Sequence, residues 1–289
     1  ESVALPVELQ GPGISILAVG EGVTSLAVGD WVAGCKPVAE SRQIGSRLFP
    51  CRFVRVNDSP DTTPSLPDPF RRNVVWSVCQ VVLQWFFGLL LRYRARGFES
   101  LPPESGALLL ANHQSNFDPM LVGVPLSRPV SFVARSTLFR PPFVGWMLRR
   151  TYVVPIDREA ARGGAIREMV ARLDHGFLVG MFPEGTRTND GEIGEFKPGF
   201  ISLVRRSRRP IVPVGIAGAF ESYPRGRLPR PGRIRVVYGK PWQPEDYAEY
   251  CERGREAELV AAVRQRVQDC VDEATAWRDG QVVETESSD

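Results

Sequence analysis

Two short polar runs contain the residue types that could do chemistry. The first, residues 112–118, reads Asn-His-Gln-Ser-Asn-Phe-Asp and places His113 five residues before Asp118. The second, residues 182–187, reads Phe-Pro-Glu-Gly-Thr-Arg and puts Arg187 in a glycine turn after an apolar run. A histidine oriented by a carboxylate can remove a proton, and an arginine fork can hold a phosphate. Together the two runs indicate chemistry on a phosphorylated alcohol.

The spacing between His113 and Asp118 restricts how their side chains can meet. On a continuous helix they would lie about 140° apart, so they pair only if His113 precedes the helix and the chain folds back before Asp118. Ser115, Asn116 and Pro119 supply turn and helix-start signals for that path. The alternative is that Asp118 is a helix N-cap before Pro119, and that His113 binds a backbone carbonyl at a strand end, neither being catalytic.

Four blocks of the sequence occur in an order and at spacings that are typical of one family. They are residues 113–118, 154–158, 182–187 with 196–199 behind them, and 211–214. In these blocks the chain resembles the glycerolipid acyltransferases of the lysophosphatidic acid acyltransferase type. The resemblance covers about residues 70 to 240. A lone histidine and aspartate would be a weak signal, whereas four ordered blocks are specific.

The resemblance implies a role for the polar residues of these blocks. His113 is the general base for the acceptor hydroxyl, Asp118 holds its other ring nitrogen, and the hydroxyl attacks an acyl thioester directly. Ser115 is not expected to form an acyl-enzyme, since the G-x-S-x-G elbow is absent. Glu184 is expected to position Arg187 and the turn that carries it, and not to transfer a proton. The residues implied in binding the substrate phosphate are Glu184, Gly185, Thr186, Arg187, Arg158 and Lys197. The resemblance implies acceptor or acyl-chain contacts for residues 211–214, but a buried strand explains this block equally well, so it is not included in the predicted site.

The predicted function is transfer of a fatty acyl group from acyl-CoA or acyl carrier protein to the free hydroxyl of lysophosphatidic acid, which forms phosphatidic acid. Alternatives are an acyltransferase that uses glycerol 3-phosphate or another lysolipid, and a non-catalytic membrane-binding protein on the same fold. The intact set of His113, Asp118, Glu184 and Arg187 argues against the last. No bound cofactor is expected. With two histidines and no H-E-x-x-H run, no metal site is expected either.

Composition and charge restrict the classes of molecule that the protein is expected to bind. The 289 residues include 36 basic and 33 acidic ones, and six of the acids lie from residue 272 onward. The basic remainder favours anionic partners, namely membrane phospholipids and a phosphorylated substrate. Nucleic acid is not predicted, because no nucleic-acid-binding motif accompanies the charge. The five cysteines are scattered and lack C-x-x-C spacing, which is typical of reduced thiols.

Short apolar runs alternate with helical patterns over most of the chain. This alternation predicts an α/β fold with a mostly parallel central sheet flanked by helices. The predicted strands are residues 107–111, 130–134, 152–156, 177–182, 211–216 and 234–238, and the predicted helices are 159–173, 199–206 and 253–277. The predicted organisation is an N-terminal extension of unknown role with short strands (1–66), a membrane-anchoring helical segment (67–98), an acyltransferase domain (99–279) and a flexible acidic tail (280–289).

Residues 74–91 are almost wholly apolar and are flanked by arginines. Their length falls just under the roughly 20 residues that span a bilayer. A buried core helix, a transmembrane span and a helix in the membrane interface are all possible. Trp76, Trp85 and the arginines favour the interface. The sequence therefore predicts a peripheral or monotopic protein at the cytoplasmic face of the cell membrane, with a membrane-associated helix.

Overall fold

A computed structural model describes residues 26–28, 31–33, 66–156 and 162–281 of the chain. The chain divides into two compact units, residues 1–62 and 63–289. In the first unit, strands β1 (Leu26–Val28) and β2 (Trp31–Ala33) pair antiparallel. The short strands predicted for this segment are confirmed there. Beyond residue 281 the predicted acidic tail lies outside the described residues.

The second unit alternates strands and helices. Its elements are α1 (Val74–Leu91), β3 (Arg94–Arg96), β4 (Ala107–Ala111), α2 (Asp118–Gly123), β5 (Val130–Arg135), α3 (Pro142–Arg150), β6 (Val154–Ile156), α4 (Arg162–Asp174), β7 (Leu178–Met181), α5 (Ile201–Ser207), β8 (Ile211–Ala217), α6 (Ala219–Ser222), β9 (Arg235–Tyr238), α7 (Pro244–Tyr247) and α8 (Glu256–Asp279).

Seven strands form one sheet in the order β3-β9-β8-β4-β7-β5-β6. Every neighbouring pair is parallel except β8 with β9. Strand β4 lies at the centre, where Leu109 pairs with Val212 on one side and Gly180 on the other. The predicted α/β fold with a mostly parallel sheet is confirmed. Because parallel strands end at the same edge, the residues after β4 and β7 lie close together.

The core has two layers because side chains alternate along each strand. Leu109 of β4 belongs to a buried cluster with residues of α1 and α2. Leu108 and Leu110 point the other way, into a cluster formed with α4, α5 and α8. Both faces of the sheet are thus covered by helices, as expected for parallel strands that are apolar throughout.

Helix α1 has the same limits as the apolar run at residues 74–91. One face of the helix packs against the rest of the domain. Asn73 caps its first turn by accepting a hydrogen bond from the backbone of Trp76 (2.8 Å). Gln80 donates to the carbonyls of Val124 (3.0 Å) and Leu126 (2.7 Å), and Gln84 donates to that of Val124 (3.1 Å). The two glutamines therefore attach the helix to the domain. Since only Trp76, Phe87 and Leu91 of this helix are buried, it is not a core helix.

The prediction is wrong in several details at element level: β3, α6 and α7 were not predicted, and three further differences have a clear physical reason. Strand β6 begins two residues late, because Tyr152 has a left-handed backbone (φ 64°) and cannot continue a strand. Helix α8 begins three residues late, since Gly254 adopts φ 91° in a turn. Helix α3 was not predicted at all, because its stretch contains Pro142 and Gly145, which weaken a helical pattern.

The packing of α8 on β8 yields a stability prediction. A methyl group at Gly215 would lie 2.2 Å from the carbonyl carbon of Cys270 and 2.3 Å from the nitrogen of Val271. We expect Gly215→Ala to lower the free energy of unfolding by about 1–3 kcal/mol, the usual cost of overpacking. Urea denaturation measures this loss. Gly123→Ala has open space around the added methyl and is the matched control. Equal stability of the two variants would contradict direct backbone contact between α8 and β8.

Candidate active site

The turn between β4 and α2 is held together by hydrogen bonds to the carboxylate of Asp118. Its Oδ2 atom lies 2.7 Å from Nδ1 of His113 and accepts hydrogen bonds from the backbone N–H groups of Gln114 (2.6 Å) and Ser115 (2.7 Å). His113 precedes the helix and the chain folds back before Asp118. The predicted meeting of the two side chains is confirmed, whereas their catalytic roles stay a prediction.

The alternative assignment of Asp118 as the helix N-cap is wrong. The N-cap residue is Phe117, and Asp118 and Pro119 occupy the first two helical positions. The carboxylate accepts from N–H groups that precede the helix, so it stabilises the strand-to-helix turn. Nor does His113 serve only a backbone carbonyl, because its ring is bonded to Asp118.

The side chains of Asp118 and His113 differ in how far they are exposed to solvent. The Asp118 side chain is fully buried, whereas that of His113 is 19% exposed. Burial raises the pKa of Asp118, against the hydrogen bonds from His113, Ser115 and Gln114, which lower it. Because Oδ2 already accepts two N–H groups, Nδ1 of His113 is the donor in the third bond. A neutral ring then presents Nε2 as an acceptor, and this atom has no hydrogen-bond partner within the described residues.

The imidazole also rests on a column of aromatic rings. The ring of Phe182 stacks on that of His113 with centroids 4.2 Å apart and planes 16° apart. Phe132 stacks behind Phe182 at 5.5 Å. Gly180 makes room for this column, since a methyl group there would lie 2.2 Å from the ring of Phe132. Sequence reasoning assigned Phe182 and Phe132 no role, although an aromatic residue directly before Pro183 was visible.

The loop after β7 holds the histidine by its backbone. Oε1 of Glu184 accepts from the backbone N–H of His113 (2.8 Å) and Oε2 accepts from that of Gly194 (3.2 Å). The N–H of Thr188 donates to the carbonyl of His113 (2.8 Å). Burial raises the pKa of Glu184, and its two backbone hydrogen bonds lower it. The His113 backbone is thus fixed at both its N–H and its carbonyl by one loop.

The carboxylate of Glu184 bonds to Gly194 of its own loop, in keeping with the expected role in positioning the turn, but it makes no direct bond to Arg187. Among the described residues, Arg187 makes no hydrogen bond or ion pair, and it lies one residue before Thr188 in a half-buried position. Its guanidinium is therefore available to a ligand. Gly185 and Thr186 are exposed between Glu184 and Arg187.

Lys197 lies beside this turn. Its backbone N–H donates to the carbonyl of Pro183 (2.9 Å). A Cβ atom on Gly185 would lie 3.4 Å from Nζ of Lys197, so the amine lies over the glycine. Gly185 has φ 68°, a conformation that side chains resist. Two cations, of Arg187 and Lys197, thus belong to the loop that holds His113.

The remaining predicted blocks divide between core and undescribed residues. Arg158 lies outside the described residues, so its place in the site stays a prediction. Residues 211–214 belong to β8, which is buried throughout and pairs with β4. They form the core strand that sequence reasoning left outside the site.

Two polar residues beside His113 were missed as structural partners of the site. Asn112 is buried and exchanges two hydrogen bonds with the backbone of Ile216 (2.9 and 2.8 Å). Gln114 donates to the carbonyl of Gly191 (2.8 Å) and accepts from the N–H of Phe220 (3.4 Å). Both residues tie the histidine turn to neighbouring segments. The sequence feature that could have indicated this role is that both residues are polar and follow a buried apolar strand.

Phe117 connects the site to helix α1. Its ring lies 5.4 Å from that of Phe87, 6.1 Å from that of Phe86 and 4.6 Å from that of Tyr223. Phe117 directly precedes Asp118. The apolar helix therefore reaches the residue next to the buried carboxylate.

The fold and the site together define an α/β acyltransferase domain, and a family model described as Acyltransferase matches residues 92–217. The chain is 26% identical to the 1-acyl-sn-glycerol-3-phosphate acyltransferase of Bacillus subtilis, over 68% of this chain and 96% of that one. It is 31% identical to the Pseudomonas aeruginosa enzyme of the same name, over 72% of this chain and 80% of that one.

A solved structure resembles the chain as well. It is the 1-acyl-sn-glycerophosphate (LPA) acyltransferase PlsC of Thermotoga maritima, with a TM-score of 0.58 and 27% identity, covering 70% of this chain and 78% of that one. The chain belongs to the 1-acyl-sn-glycerol-3-phosphate acyltransferase family. It is an O-acyltransferase of phospholipid biosynthesis.

The bonds of Glu184 generate a prediction. Glu184→Gln keeps the size of the side chain but offers one acceptor oxygen to two backbone N–H groups. We expect kcat to fall and the free energy of unfolding to drop by about 1–3 kcal/mol, the cost of a buried unsatisfied group, with little change in the acceptor KM. Steady-state kinetics and chemical denaturation measure these effects.

Glu192→Gln is the matched control for this variant. Glu192 is exposed in the same loop, so its replacement should leave both quantities unchanged. If Glu184→Gln raised the acceptor KM at constant kcat, Glu184 would act through Arg187 and not through the histidine backbone.

Proposed function

We propose that this chain transfers a fatty acyl group from acyl-CoA or acyl carrier protein to the free hydroxyl of lysophosphatidic acid, forming phosphatidic acid. His113 is the general base. The hydroxyl oxygen bonds to the acyl carbon, the carbon–sulfur bond breaks, and the proton passes through His113 to the departing thiolate. The acyl thioester is a cosubstrate, and the proposed reaction uses no bound cofactor.

The observation that carries this proposal is the pairing of His113 with the buried carboxylate of Asp118 at 2.7 Å. The carboxylate fixes the ring tautomer and stabilises the imidazolium that forms when Nε2 takes the hydroxyl proton. Partial exposure of the ring allows a substrate to reach it. The stacked ring of Phe182 restricts the imidazole to one plane. These features support a base that is oriented before the substrate binds.

The acceptor phosphate is proposed to bind at Arg187, with Lys197 and the Glu184–Thr186 turn beside it. Arg187 has no ion-pair partner among the described residues, and Lys197 lies over Gly185. A planar guanidinium can give two parallel hydrogen bonds to a phosphate, which an ammonium cannot. Arg158 is proposed as a further contact. Thr188, next to Arg187, bonds to His113, so the anion and the reacting hydroxyl can belong to one small molecule.

Membrane attachment is proposed through α1, which is long and apolar enough to cross a membrane by length and composition. One face of the helix is docked on the domain. The opposite face exposes a helically spaced set of apolar side chains, Val74, Val78, Val81, Val82, Trp85 and Leu89. A helix docked along its length favours a position in the membrane interface. We place the domain at the cytoplasmic face as a peripheral or monotopic protein, with membrane phospholipids as partners.

Two alternatives can be separated by one assay. Another acceptor, either glycerol 3-phosphate or a different lysolipid, keeps the same base and thioester. A non-catalytic membrane-binding protein would bind lipid without transfer. Liposomes supplied with labelled acyl-CoA and a panel of acceptors distinguish them, since the labelled product identifies the acceptor and binding without product identifies the second case.

The role of His113 is tested by replacing it with alanine. We expect kcat for acyl transfer to fall at least roughly 10²–10⁴-fold, the contribution of a positioned general base, while the fold is retained. His175→Ala is the matched control, since His175 is exposed at the end of α4, and it should leave the rate unchanged. Activity of the His113→Ala variant above a tenth of the parent rate would refute the role.

The phosphate site is tested at Arg187. We expect Arg187→Ala to raise the acceptor KM about tenfold or more, since hydrogen bonds to charged groups are strong, with a smaller effect on the thioester KM. Arg187→Lys should recover part of the loss, because charge returns without the planar fork. Arg253→Ala removes an exposed arginine elsewhere and controls for overall charge. Unchanged acceptor kinetics in Arg187→Ala would defeat the assignment.

A further inference from the structure

A second apolar surface is exposed next to α1. It consists of Leu138, Phe143 and Trp146, whose side chains are 53%, 71% and 47% exposed. Phe143 and Trp146 lie on one face of α3, and their rings stack with centroids 6.1 Å apart. Exposed aromatic pairs of this kind mark interaction sites when they form a continuous patch. We refer to these three residues as the α3 face.

The packing of α3 determines which side is exposed. A methyl group on Gly145 would lie 2.4 Å from the carbonyl oxygen of Phe139, so this side of the helix contacts the preceding turn (Ser136–Phe139) directly. Val144, Met147 and Leu148 are half-buried. Phe143 and Trp146 are therefore held outward by the way the helix packs, and their exposure does not depend on a flexible loop.

The stretches of sequence that carry the α3 face and α1 contain only positive charge. Residues 119–156 contain five arginines and no acidic residue, and residues 69–98, which include α1, contain five arginines and no acidic residue. The guanidinium of Arg150 lies 5.8 Å from the ring centroid of Trp146. Aromatic rings bordered by arginine suit the headgroup layer of an anionic bilayer.

Helix α3 is attached to the start of α1. Nδ2 of Asn73 donates to the carbonyl of Arg150 at the end of α3 (2.7 Å), and the Oδ1 atom of the same asparagine caps the first turn of α1. One side chain thus joins the C-terminal end of α3 to the N-terminal end of α1. The end of α3 that follows Trp146 therefore lies beside the start of the exposed face of α1.

We propose that the α3 face is a second membrane contact, which inserts Phe143, Trp146 and Leu138 at the boundary between headgroups and acyl chains of an anionic phospholipid bilayer. This inference rests on the proposed function at the membrane. With α1 it gives the domain two contact points, which set its orientation as well as its attachment. A single helix lying in the interface leaves the domain free to roll about the helix axis; the second contact restricts that rotation.

The test compares the full chain with a Phe143→Ser/Trp146→Ser variant. Both positions are exposed, so the fold should be retained, and circular dichroism checks this. Flotation with vesicles of phosphatidylcholine and about one third phosphatidylglycerol measures binding. We expect partitioning of the double variant to weaken about tenfold or more. Leu228→Ser, which removes a leucine that is 86% exposed on another loop, is the matched control and should bind like the parent.

Three results would overturn the proposal. They are unchanged partitioning of the double variant, an equal loss in Leu228→Ser, and loss of a dimer in sedimentation with vesicle binding intact, which would make a second copy the occupant. Transfer to a short-chain, water-soluble acceptor is measured in parallel and should be the same in the parent and the double variant. If the parent itself transferred nothing, the proposed function would fail, while the vesicle comparison would still decide the role of the α3 face.

Discussion

The Oδ2 atom of Asp118 is the point on which the site depends, because three donors meet there. Two are backbone N–H groups of the turn after β4, and the third is the ring of His113. A buried carboxylate is costly unless its hydrogen bonds are made. The same bonds that offset part of the cost of burial also shape the turn and orient the imidazole. Structure and proposed catalysis therefore share one set of contacts, and neither can be changed alone.

Neighbouring strands supply the rest of the arrangement. Because β4 and β7 are parallel and adjacent, the histidine turn and the Glu184 loop leave the sheet at the same edge. Glu184 and Thr188 bond to the backbone of His113, while Phe182, the last residue before that loop, stacks on its ring. The loop that carries Arg187 and Lys197 is thus in direct contact with the proposed base. This contact brings two distant blocks of sequence to the same place at the edge of the sheet.

The apolar helix and the site are coupled through packing. Phe117 precedes Asp118 and contacts Phe86 and Phe87 of α1, while Gln80 and Gln84 bond to the segment that follows α2. Helix α1, which is proposed to contact lipid, therefore also packs against the segment that holds the Asp118 carboxylate.

The sequence by itself determined the α/β class and the limits of α1, because these follow from periodicity and length. Local spacing left the pairing of His113 with Asp118 open against the N-cap alternative, and the resemblance in four ordered blocks favoured the pair. The sequence did not determine the partner of Glu184, the ring column of Phe182 and Phe132, or helix α3. Glu184 and His113 are 71 positions apart, and the Phe182 stack depends on Gly180 leaving space for Phe132. Such contacts arise only when separate strands are brought side by side, since local residue patterns carry no information about which distant atoms share a cavity.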